Sequence, residues 1–405
     1  MAVHKQWSRA KLPVVIGAVC ATMLTLSGPA AAAQHRAAAQ PGTAAPSGTA
    51  AAEEEYAATF AALKRFQAAA GPGAAVHAGN SNTAWTLSVG TGTLHADRPI
   101  QPDEHFRVGS QTKTFTAAVV LQLADEGKVS LDAAIDDYLP GVVSGNGYDG
   151  TRITVRHLLQ QTGGLGTYNP HPLGGTPEAN PDGTYELAAS VRKGLKSPPV
   201  GAPGATYNYS NTNYLILGML IEKLTGQKVH QAVTSRVIEP LGLRRTVFPA
   251  PGERALPSPA VNGYHGIRVG GLNLWGPALS YDPSLFSSAG AIVSTLEDIS
   301  AFYRALTSGK LLSPAGLTEM EKVWRAAPDS TGGYGLGIAQ LKLSCGATAW
   351  GHNGGLPGYL TMTLVTKDGR FASVVTNANF GINTPLKQLD ELLDTALCKD
   401  TPKRP

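Results

Sequence analysis

Apolar positions group at the two ends of this chain and change period between them. Tyr56, Phe60, Leu63 and Phe66 recur at helical spacing between Glu53 and Ala70 and predict an N-terminal helix. Ala74 to His77 and Thr83 to Val89 read as two strands of a hairpin turning at Gly79-Asn-Ser-Asn82. Much later, Ala347 to Trp350, Leu360 to Thr366 and Arg370 to Thr376 give three more strands, the last two joined by Lys367-Asp-Gly369. Pro385 to Leu397 then places Leu386, Leu389, Leu392 and Leu393 on one helical face. The span from about Val129 to Leu243 reads as mostly helical. The fold class expected is α+β, with strands from both chain ends in one antiparallel sheet and a helical region inserted between them. The ~335 residues after Ala70 are at the upper limit of a single core, so two lobes are expected.

The first residues set the compartment. Lys5, Arg9 and Lys11 precede an apolar run from Val14 to Leu26, and Ala31-Ala-Ala33 offers a small-residue cleavage site before Gln34. Residues 1–33 therefore read as a signal peptide, too short in its apolar run to span a bilayer comfortably. A lipid anchor at Cys20 is disfavoured by the bulk of Val19. Residues 34–52 are mostly Ala, Pro, Gly and Thr with little to bury, a flexible linker. A hydrolytic domain would follow at 53–398, with residues 399–405 a short polar tail. Removing the leader takes the formal charge from +4 to +1, which gives no reason to expect a nucleic acid or a membrane surface as partner. It also leaves two cysteines, Cys345 and Cys398, an even number in an oxidising compartment. A disulfide between them is expected, with two buried thiols as the alternative. Secretion, a monomer and no membrane anchor complete this picture.

The candidate chemistry begins at Ser110-Gln-Thr-Lys113, at the head of an apolar stretch that closes at Glu126-Gly127. Residues three apart share a helix face, so Lys113 can take the proton that makes Ser110 a nucleophile. Desolvation at a buried helix start would lower the lysine pKa. Ser-x-x-Lys also occurs at Ser8–Lys11, inside the leader, and at Ser190–Lys193, where a solvated lysine accounts for it. Tyr209-Ser-Asn211 precedes an apolar helix from Tyr214 to Leu224. Tyr209 could titrate lower beside a lysine ammonium and shuttle a proton, while Asn211 would orient that lysine and bind a substrate amide. The plainer alternative is a packed tyrosine with Asn capping the helix. His352-Asn353-Gly354-Gly355 would line the cleft, with the Gly355 and Ser110 N–H groups forming an oxyanion hole; a turn with paired glycines is the alternative. No Gly-x-Ser-x-Gly, His-Glu-x-x-His or Cys-x-x-Cys is present, and the histidines lack metal-ligand spacing, so neither a metal nor a cofactor is expected.

Between about Ala74 and Cys398 the chain resembles the penicillin-recognising serine hydrolases: class C β-lactamases, D-aminopeptidases, related esterases and, most of all, secreted D-alanyl-D-alanine carboxypeptidases. The resemblance lies in Phe106-Arg-Val-Gly-Ser-Gln-Thr-Lys113, Tyr209-Ser-Asn-Thr-Asn-Tyr214, Ser288-Ala-Gly-Ala291, Tyr334-Gly-Leu-Gly337 and Leu343-Ser-Cys345. It implies a three-layer α/β/α, β-lactamase/transpeptidase-like fold. It also implies Ser110 as the acylated nucleophile, Lys113 as its partner, Tyr209 as general base and acid, His352 in the third motif, a Cys345–Cys398 bridge and no cofactor. The residues that hold a terminal carboxylate in the carboxypeptidases are matched here by Ala339, Asn353 and Gly355, and a cleft tryptophan by Leu285. No fixed cation is then expected to face a substrate carboxylate. The expected activity is hydrolysis of a D-alanyl peptide or related small molecule through an acyl-enzyme. An esterase or D-amino-acid amidase using the same residues is the alternative within this class. A silent wall- or antibiotic-binding protein is the alternative outside it, although such a relative would usually have lost one of Ser110, Lys113 and Tyr209.

Overall fold

The computed structural model describes residues 50–170, 176–269, 272–327, 330, 332–379 and 385–400. The expected leader, most of the linker and residues 401–405 lie outside them. Helix α1 (Ala50–Glu55) opens three residues inside the stretch expected to be linker, because Ala50 to Ala52 are strong helix formers and Ala52 is buried. Helix α2 (Ala57–Ala70) follows, and Tyr56 between them stacks on Trp85 with ring centroids 4.3 Å apart.

Seven strands form the sheet: β1 (Gly73–Gly79), β2 (Ala84–Gly90), β3 (Gly332–Tyr334), β4 (Ala339–Lys342), β5 (Thr348–Leu356), β6 (Tyr359–Thr366) and β7 (Phe371–Thr376). Their order is β2-β1-β7-β6-β5-β4-β3, and each neighbouring pair is antiparallel. The two chain ends meet where β1 pairs with β7, Ala74 opposite Thr376 and Gly79 opposite Phe371. Strand β6 is buried at every position, as a central strand covered on both faces must be.

Each face carries its own core. Helices α2 and α6 (Leu386–Cys398) cover one, with Leu63, Phe66, Leu87, Leu364, Val374, Leu389 and Leu393 packed together. The other face carries α3 (Thr112–Asp125), α4 (Asn211–Thr225) and α5 (Leu296–Thr307), with Phe115 stacked on Phe302 at 3.6 Å. This is the three-layer α+β arrangement. The two lobes expected from length instead form one compact unit among the described residues, joined by the shared sheet.

Three differences from the sequence reading bear on the site. Strand β5 does not stop at Trp350 but runs on through His352 to Leu356, because its pairing with β6 satisfies the backbone there. Strand β3 and the hairpin Tyr264–Val269/Leu272–Pro277 carry glycine or no clear alternation, so pairing partners rather than propensity make them strands. The span from 129 to 243 is also less helical than expected. Its helices, such as Val155–Leu159, Leu187–Gly194, α4 and Val229–Val233, are separated by long irregular stretches held by side chain–backbone bonds.

Cys345 and Cys398 are joined, with Cα atoms 5.6 Å apart and a sequence separation of 53. Beneath them Arg370 is 2% exposed; it donates to Asp368 and to the Leu397 carbonyl at the end of α6. The bridge therefore fixes α6 to the turn before β5. Closing a loop of this length contributes about 4 kcal/mol in the chain-entropy account. Cys345→Ser/Cys398→Ser should lower Tm by about 5 °C in a chain of this size. Differential scanning calorimetry, with thiol counting on non-reduced protein, checks this. Two free thiols in the native chain would show that the bond does not form.

Candidate active site

The serine is placed by two glycines. Val108 ends a short strand pair and its N–H donates to the Ile292 carbonyl at 3.0 Å. Gly109 then takes φ +59°, and a Cβ there would stand 2.9 Å from the Gly355 nitrogen. On β5, a Cβ at Gly354 would lie 1.8 Å from the Val108 carbonyl oxygen. Only glycine permits this approach of the Ser110 turn to β5. Thr361 on β6 locks it, donating to the Val108 carbonyl at 3.0 Å and accepting from Gln111 Nε2 at 2.8 Å. A tight turn, Gly109–Gln111, leads directly into α3, so Ser110 and Lys113 emerge on one face.

Lys113 is fully buried. Its Nζ lies 2.8 Å from Asn211 Oδ1, 2.8 Å from the Ala289 carbonyl oxygen and 3.1 Å from Ser110 Oγ. Among the described residues no carboxylate pairs with it. Burial alone holds its pKa well below the ordinary amine value. In the neutral amine, the two N–H bonds are taken by Asn211 and Ala289, which directs the remaining lone pair at the Ser110 hydroxyl.

Ser210 caps α4, accepting from the Thr212 N–H at 3.2 Å. Asn211 is therefore free of the capping role; its Nδ2 donates to the Tyr168 carbonyl at 2.9 Å and its Oδ1 faces the lysine. The ring of Tyr209 stands over the lysine, with Nζ 4.9 Å from its centroid, and its hydroxyl interacts with Ser110. A lowered tyrosine pKa was expected here. Burial instead raises it, and the Ser110 hydrogen bond only partly opposes the rise. With the lysine itself held towards neutrality, there is no persistent cation to pull the phenol down.

His352 is 1% exposed, and burial lowers its pKa to about 3, with the neighbouring Lys113 charge adding to the effect. Its Nε2 lies 2.9 Å from the Tyr334 hydroxyl and its Nδ1 contacts the Asn353 carbonyl oxygen. It borders the Tyr209 ring at 6.1 Å. Gly354 is likewise buried, whereas Gly355 is exposed.

Gly355 opens into a cleft of about 980 Å³ whose walls include Leu285, Phe286, Tyr281, Leu356 and Pro357. Leu285 thus lies where the resemblance put a cleft residue. Ala339 and Asn353 are not among these walls: Ala339 pairs with Tyr334 and Gly351 on the far strands. Ser110, Lys113 and Tyr209 are not among the walls either, whereas one fixed cation is. It is Arg254, whose Nε lies 3.2 Å from buried Asp282 Oδ2, so the charge is locally balanced. The other Ser-x-x-Lys is no rival, since Ser190 is fully buried within its helix.

Three contributors were not assigned roles from sequence: the Ala289 carbonyl, Tyr334 and the Gln111–Thr361 clamp. The first two lie in segments that carry the resemblance, which marked them without saying what they touch. Ser287, at φ +38°, bends the chain just before the carbonyl that meets Lys113, a costly conformation for a residue with a side chain.

The Beta-lactamase family model matches residues 27–396. A D-stereospecific amidohydrolase from Streptomyces sp. is 37% identical, with a TM-score of 0.73 over 85% of this chain and 98% of that one. Unguisins hydrolase ungD' of Aspergillus campestris is 28% identical over 320 residues, 76% of this chain. The chain spans 58% of that hydrolase's length. Penicillin-binding protein 4 of Amycolatopsis lactamdurans is 27% identical over 307 residues, 71% of this chain and 76% of its own. With residues 27–396 matched by that family model, this chain belongs to the beta-lactamase family of serine hydrolases.

Proposed function

We propose that this is an exported serine acyl hydrolase that cleaves D-configured amides, D-alanyl peptides among them, through an acyl-enzyme on Ser110. The observation that carries the reading is the Lys113 amine, buried without a carboxylate and committed through two N–H bonds so that its lone pair meets Ser110. Export rests on the apolar leader and agrees with the Cys345–Cys398 bond. The D-amide class draws support from the Streptomyces amidohydrolase.

The proton path follows from the two shifted groups. Ser110 Oγ gives its proton to neutral Lys113 Nζ as Oγ bonds to the substrate carbonyl carbon. The oxyanion formed is held by the N–H groups of Ser110 and Gly355. As the C–N bond breaks, the leaving nitrogen takes the Tyr209 phenol proton, and the Lys113 ammonium replaces it. Water then attacks the ester by the reverse path, so every proton is returned. Tyr209 suits the donor role because its pKa is raised, not lowered. A neutral His352 adds no second cation to oppose the transient ammonium.

Mass spectrometry of the protein mixed with penicillin, a D-alanyl peptide and a small D-ester tests the assignment. An acyl adduct on Ser110, absent in Ser110→Ala, is expected. Turnover near the wild-type rate in that variant would end the proposal, and a ligand held without any adduct would favour a binding protein.

Lys113 and Tyr209 act as one unit, so Lys113→Ala, Tyr209→Phe and the double variant should lose nearly equal activity. The wild-type pH profile of kcat/KM should rise through a pKa below the ordinary lysine value, because the neutral amine is the active form. It should then hold to at least pH 10, since deprotonation of Tyr209 is delayed. Independent, multiplicative losses would contradict a shared path.

Because Arg254 is balanced by Asp282, a free substrate carboxylate gains no unpaired cation in the cleft. An amide-capped D-alanyl compound should therefore react at least as fast as its free acid, measured as paired kcat/KM values. A strong preference for the acid, abolished in Arg254→Met, would show instead that Arg254 binds the carboxylate.

A further inference from the structure

We infer that Tyr334 is a positioning residue that holds His352 as a single neutral tautomer and, through it, fixes the strand edge from which Gly355 faces the substrate. This rests on the acyl-hydrolase reading only for its kinetic consequence; the tautomer itself does not.

The contacts leave His352 one arrangement. Its Nδ1 faces the Asn353 carbonyl oxygen, which can only accept, so Nδ1 carries the proton. Nε2 is then the acceptor, and the partner 2.9 Å away is the Tyr334 hydroxyl, which must donate. The Tyr334 ring stands edge-on to the imidazole, with centroids 5.6 Å apart and planes at 82°. The chain Tyr334 O–H to Nε2, then Nδ1–H to Asn353 O, spends both ring nitrogens. It pins the backbone one residue before Gly354, where the Val108 carbonyl lies against the strand. A rotated peptide at Asn353 would displace the Gly355 N–H from the Ser110 N–H that it works beside.

The surroundings agree. The groups that face His352 are Lys113 on α3, the Tyr209 ring at 6.1 Å and Tyr334 on β3; none is an acid. Tyr214 on α4 also meets the Tyr334 hydroxyl; its own proton goes to the Leu159 carbonyl at 2.8 Å, so its oxygen is a second acceptor that shares the Tyr334 proton with His352 Nε2. A protonated imidazole would put a second cation beside Lys113 and break the Tyr334 donation. His352 therefore acts on the reaction through the backbone, with neither a proton to give nor a charge to offer the substrate.

The test has two readouts. In protein labelled with ¹⁵N-histidine, the resonances missing from His352→Ala are assigned to His352. They should show protonated Nδ1 and bare Nε2, unchanged between pH 5 and 8. In Tyr334→Phe, Nε2 loses its donor; the tautomer should become mixed or begin to titrate, and kcat/KM should fall by about tenfold. The same Tyr334→Phe change made in a His352→Ala background should cost less than twofold, because the path it acts through is already gone. An Nε2–H tautomer or titration of wild-type His352 in that range would overturn the proposal. So would an equal tenfold loss in both backgrounds. If no substrate is found, the spectrum still decides the tautomer, and failure of the functional reading is seen separately as absence of any Ser110 adduct.

Discussion

Everything at this site depends on burying a lysine amine that no carboxylate among the described residues meets. A buried ammonium lacking an anion is costly, and the cost falls on the charged form. The fold does not relieve this by pairing. It supplies the Asn211 side-chain oxygen and the Ala289 carbonyl, two neutral acceptors that satisfy an amine without fixing a proton on it. An aspartate in either place would hold the lysine charged and unable to accept from Ser110.

That arrangement explains why the surroundings are neutral. Tyr209, Tyr214, Tyr334 and His352 stand around the amine, and burial keeps all four uncharged at neutral pH. Protons can then move between Ser110, Lys113 and Tyr209 without a fixed ion nearby to hold them at one station. In the cleft that Gly355 lines, Arg254 and Asp282 pair with each other.

Backbone contact supplies the rigidity. Gly109 and Gly354 let a helix start and a sheet strand touch, and Thr361 and Gln111 bind the junction. The disulfide and Arg370 hold the same strand from its other end, at the turn before β5. The two N–H groups proposed to hold the oxyanion, those of Ser110 and Gly355, therefore sit on separate elements braced at both sides. This suits a reaction in which those donors must be in place before charge develops.

Local chemistry wrote much of this into the chain. The strands at both ends, the closing helix, the Ser110–Lys113 spacing, the Asn211 contact to lysine and the two late cysteines rest on period, neighbourhood or parity, which survive in one dimension. Three things did not. Strand β3 exists because β4 pairs with it, and β5 continues through its glycines because β6 does. The direction of the Tyr209 shift depends on how much protein surrounds the phenol, which no neighbour in sequence reports. Arg254 reaches the cleft beside Gly355, and Tyr334 meets His352, only through the chain's path around the sheet. Residue types and short spacings determined which chemistry is available here. Burial and long-range pairing decided which groups keep their protons and which of them face the substrate.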